Sequence, residues 1–212
     1  YNGFGVSCNG GDDGFINIDN TISDTGGPYT YLWNGPGGFF SPNQNISDLL
    51  AGDYNLIVVD NGEAPPCQEN FTFTVTEPNP ISVSLEATSN TSVCFGELAN
   101  IDIDVLGGTG PGTYSYQWTA SNGGDLNGQD NVANITDLTP GTYTLIVTDD
   151  NFSPGLNNGC TVTQTYTIIE PPILEINNDP NNPSILDVEC YDDLGEIYID
   201  VTGGNPPYTY LW

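Results

Sequence analysis

The 212-residue chain has no lysine, no arginine, no histidine and no methionine. Nucleic-acid affinity rests largely on Lys and Arg neutralising phosphates, so nucleic acid is excluded as a partner. The basic segments that draw proteins to anionic lipid are missing too. Without His or Lys there is no imidazole base near neutral pH, no Schiff base and no Ser-His-Asp triad. Acid–base chemistry would fall to carboxylates, Tyr or a thiol, and no enzyme and no catalytic residue is expected. No apolar run approaches the roughly 18 to 20 residues of a membrane span, so no membrane insertion is expected. No basic n-region opens the chain, which starts at Tyr1 rather than Met and reads as an internal piece of something longer.

Against those absences stand 28 Asp and Glu, giving a formal net charge of -28. The chain is still not a disordered acidic tail. Aromatics make up 11% and the wider hydrophobic group 37%, while charged residues are only 13%. Disordered segments are charge-rich and aromatic-poor. Polarity comes mainly from Asn, Asp, Thr, Ser and 26 Gly, punctuated by 16 Pro.

Three stretches of the sequence line up. The first runs through Cys8-Asn-Gly-Gly-Asp-Asp-Gly14, Gly26-Gly-Pro-Tyr-Thr-Tyr-Leu-Trp33, Asp48-Leu-Leu-Ala-Gly-Asp-Tyr54, Val59-Asp60, Cys67 and Thr76-Glu-Pro78. The second has Cys94-Phe-Gly96, Gly107-Gly108, Tyr114-Ser-Tyr-Gln-Trp118, Asp137-Leu-Thr-Pro-Gly-Thr-Tyr143, Val147-Thr-Asp149, Cys160 and Ile169-Glu-Pro171. The third begins at Cys190 and reaches Gly203-Gly-Asn-Pro-Pro-Tyr-Thr-Tyr-Leu-Trp212. The period is roughly 90 residues, the size of a small β-sandwich. The expected domains are 1–79, a repeat truncated at its N-terminus; 80–171, a complete repeat; and 172–212, a repeat truncated at its C-terminus.

Period-2 alternation dominates, and nothing reads as an amphipathic helix. In the second repeat the pattern predicts strands at Ile81–Thr88, Leu98–Leu106, Tyr114–Trp118, Val132–Leu138, Thr142–Asp149 and Thr161–Ile169. The expected fold class is all-β: tandem antiparallel Ig-like β-sandwiches, end to end. Trp33, Trp118 and Trp212 are predicted core residues. Leu-x-x-Gly-x-Tyr places Tyr54 and Tyr143 in tyrosine corners, where a buried ring satisfies its hydroxyl on nearby backbone.

Taken together, Cys-x-Gly-x-x-Asp-Gly, Gly-Gly-x-x-Pro-Tyr-Thr-Tyr-x-Trp, Leu-x-x-Gly-x-Tyr-x-x-x-Val-x-Asp, Cys and Glu-Pro resemble the SprB repeat of very long Bacteroidetes surface adhesins, including the mobile adhesin of gliding cells. The resemblance runs over essentially the whole chain, in two and a half copies. The second copy departs from it at Gly110-Pro-Gly-Thr-Tyr114, and Cys94-Phe-Gly96 lacks the Asp-Gly of the first. The resemblance implies type IX secretion, an extracellular place on a bacterial surface, and a stalk or adhesive role without catalysis. Expected partners are neighbouring repeats, other filament copies or surface glycans. The alternatives to a stalk are a module binding surface polysaccharide and a self-assembling, pilus-like fibre.

Five cysteines in such a chain suggest disulfides, and their spacing offers no Cys-x-x-Cys metal site. One pairing is within repeats, Cys8 with Cys67 and Cys94 with Cys160. Strand counting puts Cys8 and Cys67 at opposite poles of one sandwich, whereas a disulfide needs Cα atoms roughly 4.4–6.8 Å apart. The other pairing is an inter-repeat staple, Cys8 with Cys160, with Cys94 facing a cysteine later in the third repeat. The within-repeat pairing survives if the loop from Asp60 to Asn70 folds down the side. With the inter-repeat staple, Cys67, Cys94 and Cys190 would have partners outside the fragment; with the within-repeat pairing only Cys190 would. The Pro-rich junctions Glu77-Pro-Asn-Pro80 and Glu170-Pro-Pro172 suggest limited bending between repeats.

Asp12, Asp13, Asp149 and Asp150 are candidate Ca²⁺ ligands, as is Asp192-Asp193, since hard cations take oxygen donors. Asp before Gly is also an ordinary turn former, and no Asp-x-Asp-x-Asp-Gly loop is present. No cofactor is expected beyond non-specific screening by Ca²⁺ or Mg²⁺. Tyr29, Tyr31 and Trp33, like Tyr208, Tyr210 and Trp212, share one strand face and read as packing before they read as a sugar platform. Sequons at Asn45, Asn70, Asn90, Asn134 and Asn151 are expected by chance in so Asn-rich a chain.

Overall fold

The computed structural model describes residues 3–18, 27–62, 64–91, 94–109, 114–150, 159–177, 185–186, 190–192 and 194–212. The chain is all-β with antiparallel sheets, and among the described residues no helix is long and apolar enough to cross a membrane. Its short β-branched and aromatic runs, cut by Gly, Pro and Asn, form strands in chain order. The first six are β1 (Gly14–Ile16), β2 (Tyr29–Asn34), β3 (Phe40–Ser41), β4 (Ile46–Leu49), β5 (Gly52–Asp60) and β6 (Cys67–Val75). Then come β7 (Asn79–Leu85), β8 (Ala99–Ile101), β9 (Ile103–Gly108), β10 (Tyr114–Ser121), β11 (Ile135–Leu138), β12 (Gly141–Asp149) and β13 (Cys160–Ile168). The last are β14 (Glu175–Asn177), β15 (Ile185–Leu186), β16 (Glu196–Ile197) and β17 (Asp200–Thr202).

The chain divides into two compact units. The first gathers residues 1–84, 104–116 and 146–163; the second gathers 85–103, 117–145 and 164–212. In the first unit a four-stranded sheet of order β3-β2-β5-β6 and the pair β1-β4 share one core. Trp33 from β2, Ile46 and Leu49 from β4, Tyr54 and Leu56 from β5, and Val75 from β6 are buried together with Val6. Side chains from two sheets meeting in one core make this a β-sandwich. Phe73 lies against Trp33 with ring centroids 5.5 Å apart, and Phe39 meets Tyr54 edge-on at 5.3 Å. β5 and β6 pair along their full length, from Gly52 opposite Val75 to Asp60 opposite Cys67.

In the second unit the buried side chains include Ile101, Trp118, Ile135, Leu138, Tyr143, Leu145 and Ile168. The run Trp, Ile, Leu, Tyr, Leu recurs in the same chain order as in the first core, followed by Ile168 where the first has Val75. Strand β8 pairs antiparallel with β11, β14 with β17, and β15 with β16. Trp118 packs against Tyr166 at 5.9 Å. Each buried indole donates to a loop carbonyl, Trp33 to Asn43 at 2.9 Å and Trp118 to Val132 at 2.9 Å.

The predicted Ile81–Thr88 forms as Asn79–Leu85 and Tyr114–Trp118 runs on to Ser121, while two further predicted strands change for identifiable reasons. Leu98–Leu106 is two strands, because Asp102 leaves the ladder: its N–H donates to Ser89 Oγ at 2.9 Å, and its carbonyl accepts from Glu86 N at 2.9 Å. Val132–Leu138 shortens to Ile135–Leu138, because the Val132 carbonyl takes the Trp118 indole instead of a strand partner.

The tyrosine corners follow from local sequence. Gly52 sits at φ +138, and a Cβ there would press on Pro36 Cγ at 2.5 Å, so only glycine fits ahead of Tyr54. Tyr54 donates to Leu50 O at 3.0 Å. Tyr143 donates to Thr139 O at 2.7 Å and also accepts from Asp125 N at 3.1 Å. A buried hydroxyl that also satisfies a backbone N–H leaves more unpaired when removed. Tyr143→Phe should therefore cost about 2 kcal/mol against about 1 kcal/mol for Tyr54→Phe, measured by urea denaturation. Equal losses would mean that the Asp125 N–H finds another partner.

Candidate functional site: the stapled turn at Cys8

The chain after Ser7 turns sharply, with Gly11 N donating to Cys8 O at 3.0 Å. Asp13 Oδ1 accepts from Ser7 N at 2.9 Å and closes the turn from inside. The end of the same sandwich grips the turn from outside. Gly10 N donates to Glu77 Oε2 at 2.6 Å, Asn9 Nδ2 to Pro78 O at 3.0 Å, and Gly5 N to Thr76 O at 2.8 Å. The Thr-Glu-Pro segment thus acts as a clamp on the Cys-x-Gly turn. Sequence reasoning read Glu-Pro only as a stiff junction and missed the carboxylate's role. The recurrence of both motifs together was the available signal.

Cys8 is joined to Cys160, the first residue of β13, by a disulfide with a Cα–Cα distance of 5.5 Å. Both residues belong to the first compact unit. The pairings Cys8 with Cys67 and Cys94 with Cys160 are accordingly not those present. Cys67 and Cys94 are exposed thiols. Around the bridge lies a cleft lined by Cys8, Asn9, Pro78, Pro80, Gly108 and Cys160 among others. Among the described residues no Asp, Glu or Tyr side chain lines it.

The carboxylates considered as cation ligands have other work. Asp149, 2% exposed, accepts from Thr109 N at 2.6 Å and Thr109 Oγ1 at 2.9 Å. Asp60, at the matching end of β5, accepts from Gly27 N at 3.1 Å and Gly62 N at 2.8 Å. The Val-x-Asp ending of these strands ties down the Gly-Gly loop beside them. Asp150 accepts from Ser115 Oγ at 3.0 Å, and Asp12 is exposed next to the bonded Asp13. Among the described residues no three His, Cys, Asp or Glu side chains gather where they could hold a metal ion. Asp193 and the Gly110-Pro-Gly-Thr departure lie outside the described residues, although Asp192 and Tyr114 lie within them.

Trp33 and Trp118 are buried and Tyr31 packs against the first core, so these faces are not open to a sugar. Tyr210 is exposed, and Trp212, expected in a core, is instead 82% exposed, because no strand among the described residues covers it. Asn45 and Asn134, both in sequons, use their side-chain oxygens on Ile18 N at 2.8 Å and Ile103 N at 3.0 Å. Asn151 lies outside the described residues. Burial pushes the phenols of Tyr54, Tyr114, Tyr116 and Tyr166 above the ordinary 10.0. The charges of Asp149 and Asp104 and the Tyr116 phenol add to the effect at Tyr114. These four phenols stay neutral near pH 7 and supply no tyrosinate base.

The fold and this site define a class: an all-β protein of antiparallel sheets, packed as a sandwich in the first unit, with a turn-to-strand disulfide. Within that class, residues 182–212 match the family model of the SprB repeat, a narrower stretch than the motif resemblance covers. No curated protein matches the chain. Among solved structures it is similar to an amphioxus IgVJ-C2 molecule, at 16% identity over 77% of this chain and 99% of that one, with a TM-score of 0.34. It is also similar to the three N-terminal domains of the Highly Immunogenic Outer Capsid protein of bacteriophage RB49. There the identity is 15%, over 95% of this chain and 68% of that one, with a TM-score of 0.46.

The Cys8–Cys160 bridge closes a span of 152 residues, and long loops lose most entropy on closure. Cys160→Ser should lower the stability of the first unit by about 2 to 5 kcal/mol, whereas Cys67→Ser should leave it unchanged. Urea denaturation followed by tryptophan fluorescence separates the two.

Proposed function

We propose that the chain is a structural segment of a long extracellular filament or cell-surface adhesin stalk, built from tandem Ig-like repeats and not from catalytic domains. One observation carries this reading. The disulfide joins Cys8 to Cys160; with repeats taken as 1–79 and 80–171, tension on one repeat would pass to the next through a covalent bond. The repeats are also built alike. Asn45 and Asn134, Trp33 and Trp118, and Tyr54 and Tyr143 make equivalent hydrogen bonds. Disulfides persist in oxidising compartments, which fits a secreted product. The SprB match supports a bacterial surface location, and with it type IX export and a place in a gliding adhesin.

The physical task is reach under load. A net charge of -28 keeps parallel copies apart in water and favours a solvated, extended array. Absence of Lys and Arg leaves trypsin-like proteases no cleavage site. The polysaccharide-binding alternative has less support, because Trp33 and Trp118 are both interior.

Single-molecule force spectroscopy tests the reading. Pulled from its termini while oxidised, the chain should not release the 152-residue span inside the bridge. Reductant should add roughly 500 Å of contour length, at about 3.3–3.6 Å per residue. Equal contour lengths with and without reductant would contradict a load path through the disulfide.

A further inference from the structure

The bridge between Cys8 and Cys160 is not sealed inside a core. Both cysteines are half-buried and line a cleft of about 440 Å³. Small-molecule sites run from roughly 300 to 1,000 Å³, so the volume admits a small ligand beside the bond. Every residue lining the cleft belongs to the first compact unit. Its walls are neutral: Asn9, Pro78, Asn79, Pro80, Thr161 and Val162 carry no charge. The chain around them carries -28 and no basic residue. A molecule approaching the cleft therefore crosses a negative field that penalises each negative charge it brings.

The two sulfurs are held independently of the bond between them. Cys8 stands in the clamped turn, whose hydrogen bonds from Gly11 N, Asn9 Nδ2 and Gly10 N involve no sulfur. Cys160 is held as the first residue of β13. Opening the bond leaves turn and strand in place. The sulfurs also differ in their surroundings. That of Cys160 lies 3.3 Å from the Ser7 carbonyl oxygen, and among the described residues the Cys8 sulfur makes no such contact. A carbonyl oxygen accepts from a thiol but repels a thiolate, so Cys160 is the poorer leaving group of the two.

We propose that this cleft is a thiol–disulfide exchange site for small thiols whose remainder is cationic or uncharged, and that the sulfur attacked is that of Cys160. The proposal goes beyond the structural role above and does not depend on the repeats forming an array. A thiolate attacks the Cys160 sulfur, a mixed disulfide forms there, and the bond to Cys8 breaks. Cys8 leaves as a thiolate and takes a proton from water. A second thiol attacks the reagent sulfur of the mixed disulfide. The reagent departs as its own disulfide, and Cys160 becomes a thiol that donates to Ser7 O. Two electrons have then passed from two thiols to the bridge. Because the sulfurs keep their places, the reagent's disulfide closes the same bond again. The staple is a reversible tie within the folded chain.

The test uses the oxidised 212-residue chain with Cys67, Cys94 and Cys190 alkylated beforehand. Loss of the bridge is timed by acid quenching, alkylation and mass mapping. Cysteamine, mercaptoethanol and mercaptoethanesulfonate are compared per unit of thiolate, whose net charges are zero, one negative and two negative. At about 0.01 M salt, where the Debye length is roughly 30 Å, rates should fall in that order by about tenfold or more. At about 1 M salt, where it is roughly 3 Å, they should converge. Rates should rise linearly with thiol and stay flat in urea below the unfolding transition. Asn79→Phe, at an exposed lining residue, should slow all three severalfold. The first adduct should map to Cys160, and cystamine added afterwards should restore the Cys8–Cys160 peptide.

Rates that saturate with thiol and climb with urea would show that reduction waits for unfolding, and would overturn the site. Unchanged rates in Asn79→Phe would overturn the cleft as the route. Equal rates for the three thiols at low salt would overturn the charge selection, and a first adduct on Cys8 would overturn the choice of sulfur. Stable adducts on both cysteines after cystamine would overturn the reversible closure. A chain that yields no Cys8–Cys160 peptide before thiol is added would overturn the whole proposal.

Discussion

The turn that follows Ser7 is held from two sides at once. On one side the Glu77 carboxylate takes the Gly10 N–H, and on the other the Cys160 sulfur is bonded to that of Cys8. A turn rich in glycine has many conformations open to it and would not present a thiol in one place unaided. The clamp removes that freedom using the repeat's own C-terminal Thr-Glu-Pro segment, and the disulfide can then close without further ordering of the turn. Clamp and bridge together hold the Cys8 turn.

A chain without Lys, Arg or His cannot form side-chain ion pairs, so its carboxylates must be satisfied otherwise. In this fold several of them accept from backbone N–H groups: Asp13 from Ser7, Glu77 from Gly10, Asp60 from Gly27, Asp149 from Thr109 and Glu170 from Gly96. Hydrogen bonds to an ionised acceptor are shorter and stronger than neutral ones, and here they fix loops that sheet ladders do not reach. The acidic side chains are therefore part of the scaffold. That use competes directly with metal binding: Asp149 takes Thr109 N and Oγ1, and Asp150 takes Ser115 Oγ.

Much of the fold was legible in the sequence because period-2 alternation and Gly-x-Tyr corners are local signals. Thr142–Asp149 differs from β12 by one residue at its start, and Thr161–Ile169 is β13 shifted by one residue. Trp33 and Trp118 were readable as core from their alternation with Tyr. Legibility failed where a backbone group chose a partner outside its ladder. Asp102 splits a strand by bonding Ser89, and Val132 leaves a strand to receive an indole. The roles of Glu77 and Glu170 were hidden for the same reason: an N–H partner carries no side-chain signature in the sequence. The cysteine pairing stayed open between two schemes because choosing needs strand direction and end-to-end order, which alternation does not encode.

The central claim is that Cys8 and Cys160 are covalently joined. Its most direct test is a disulfide map of the protein digested without reduction by pepsin or a Glu/Asp-directed protease, trypsin having no sites. The account predicts a peptide pair containing Cys8 and Cys160, with Cys67 recovered outside it. Recovery of Cys8 linked to Cys67, with Cys94 linked to Cys160, would contradict it: the repeats would then be self-contained beads, and tension would pass between them only through the Pro-rich junctions.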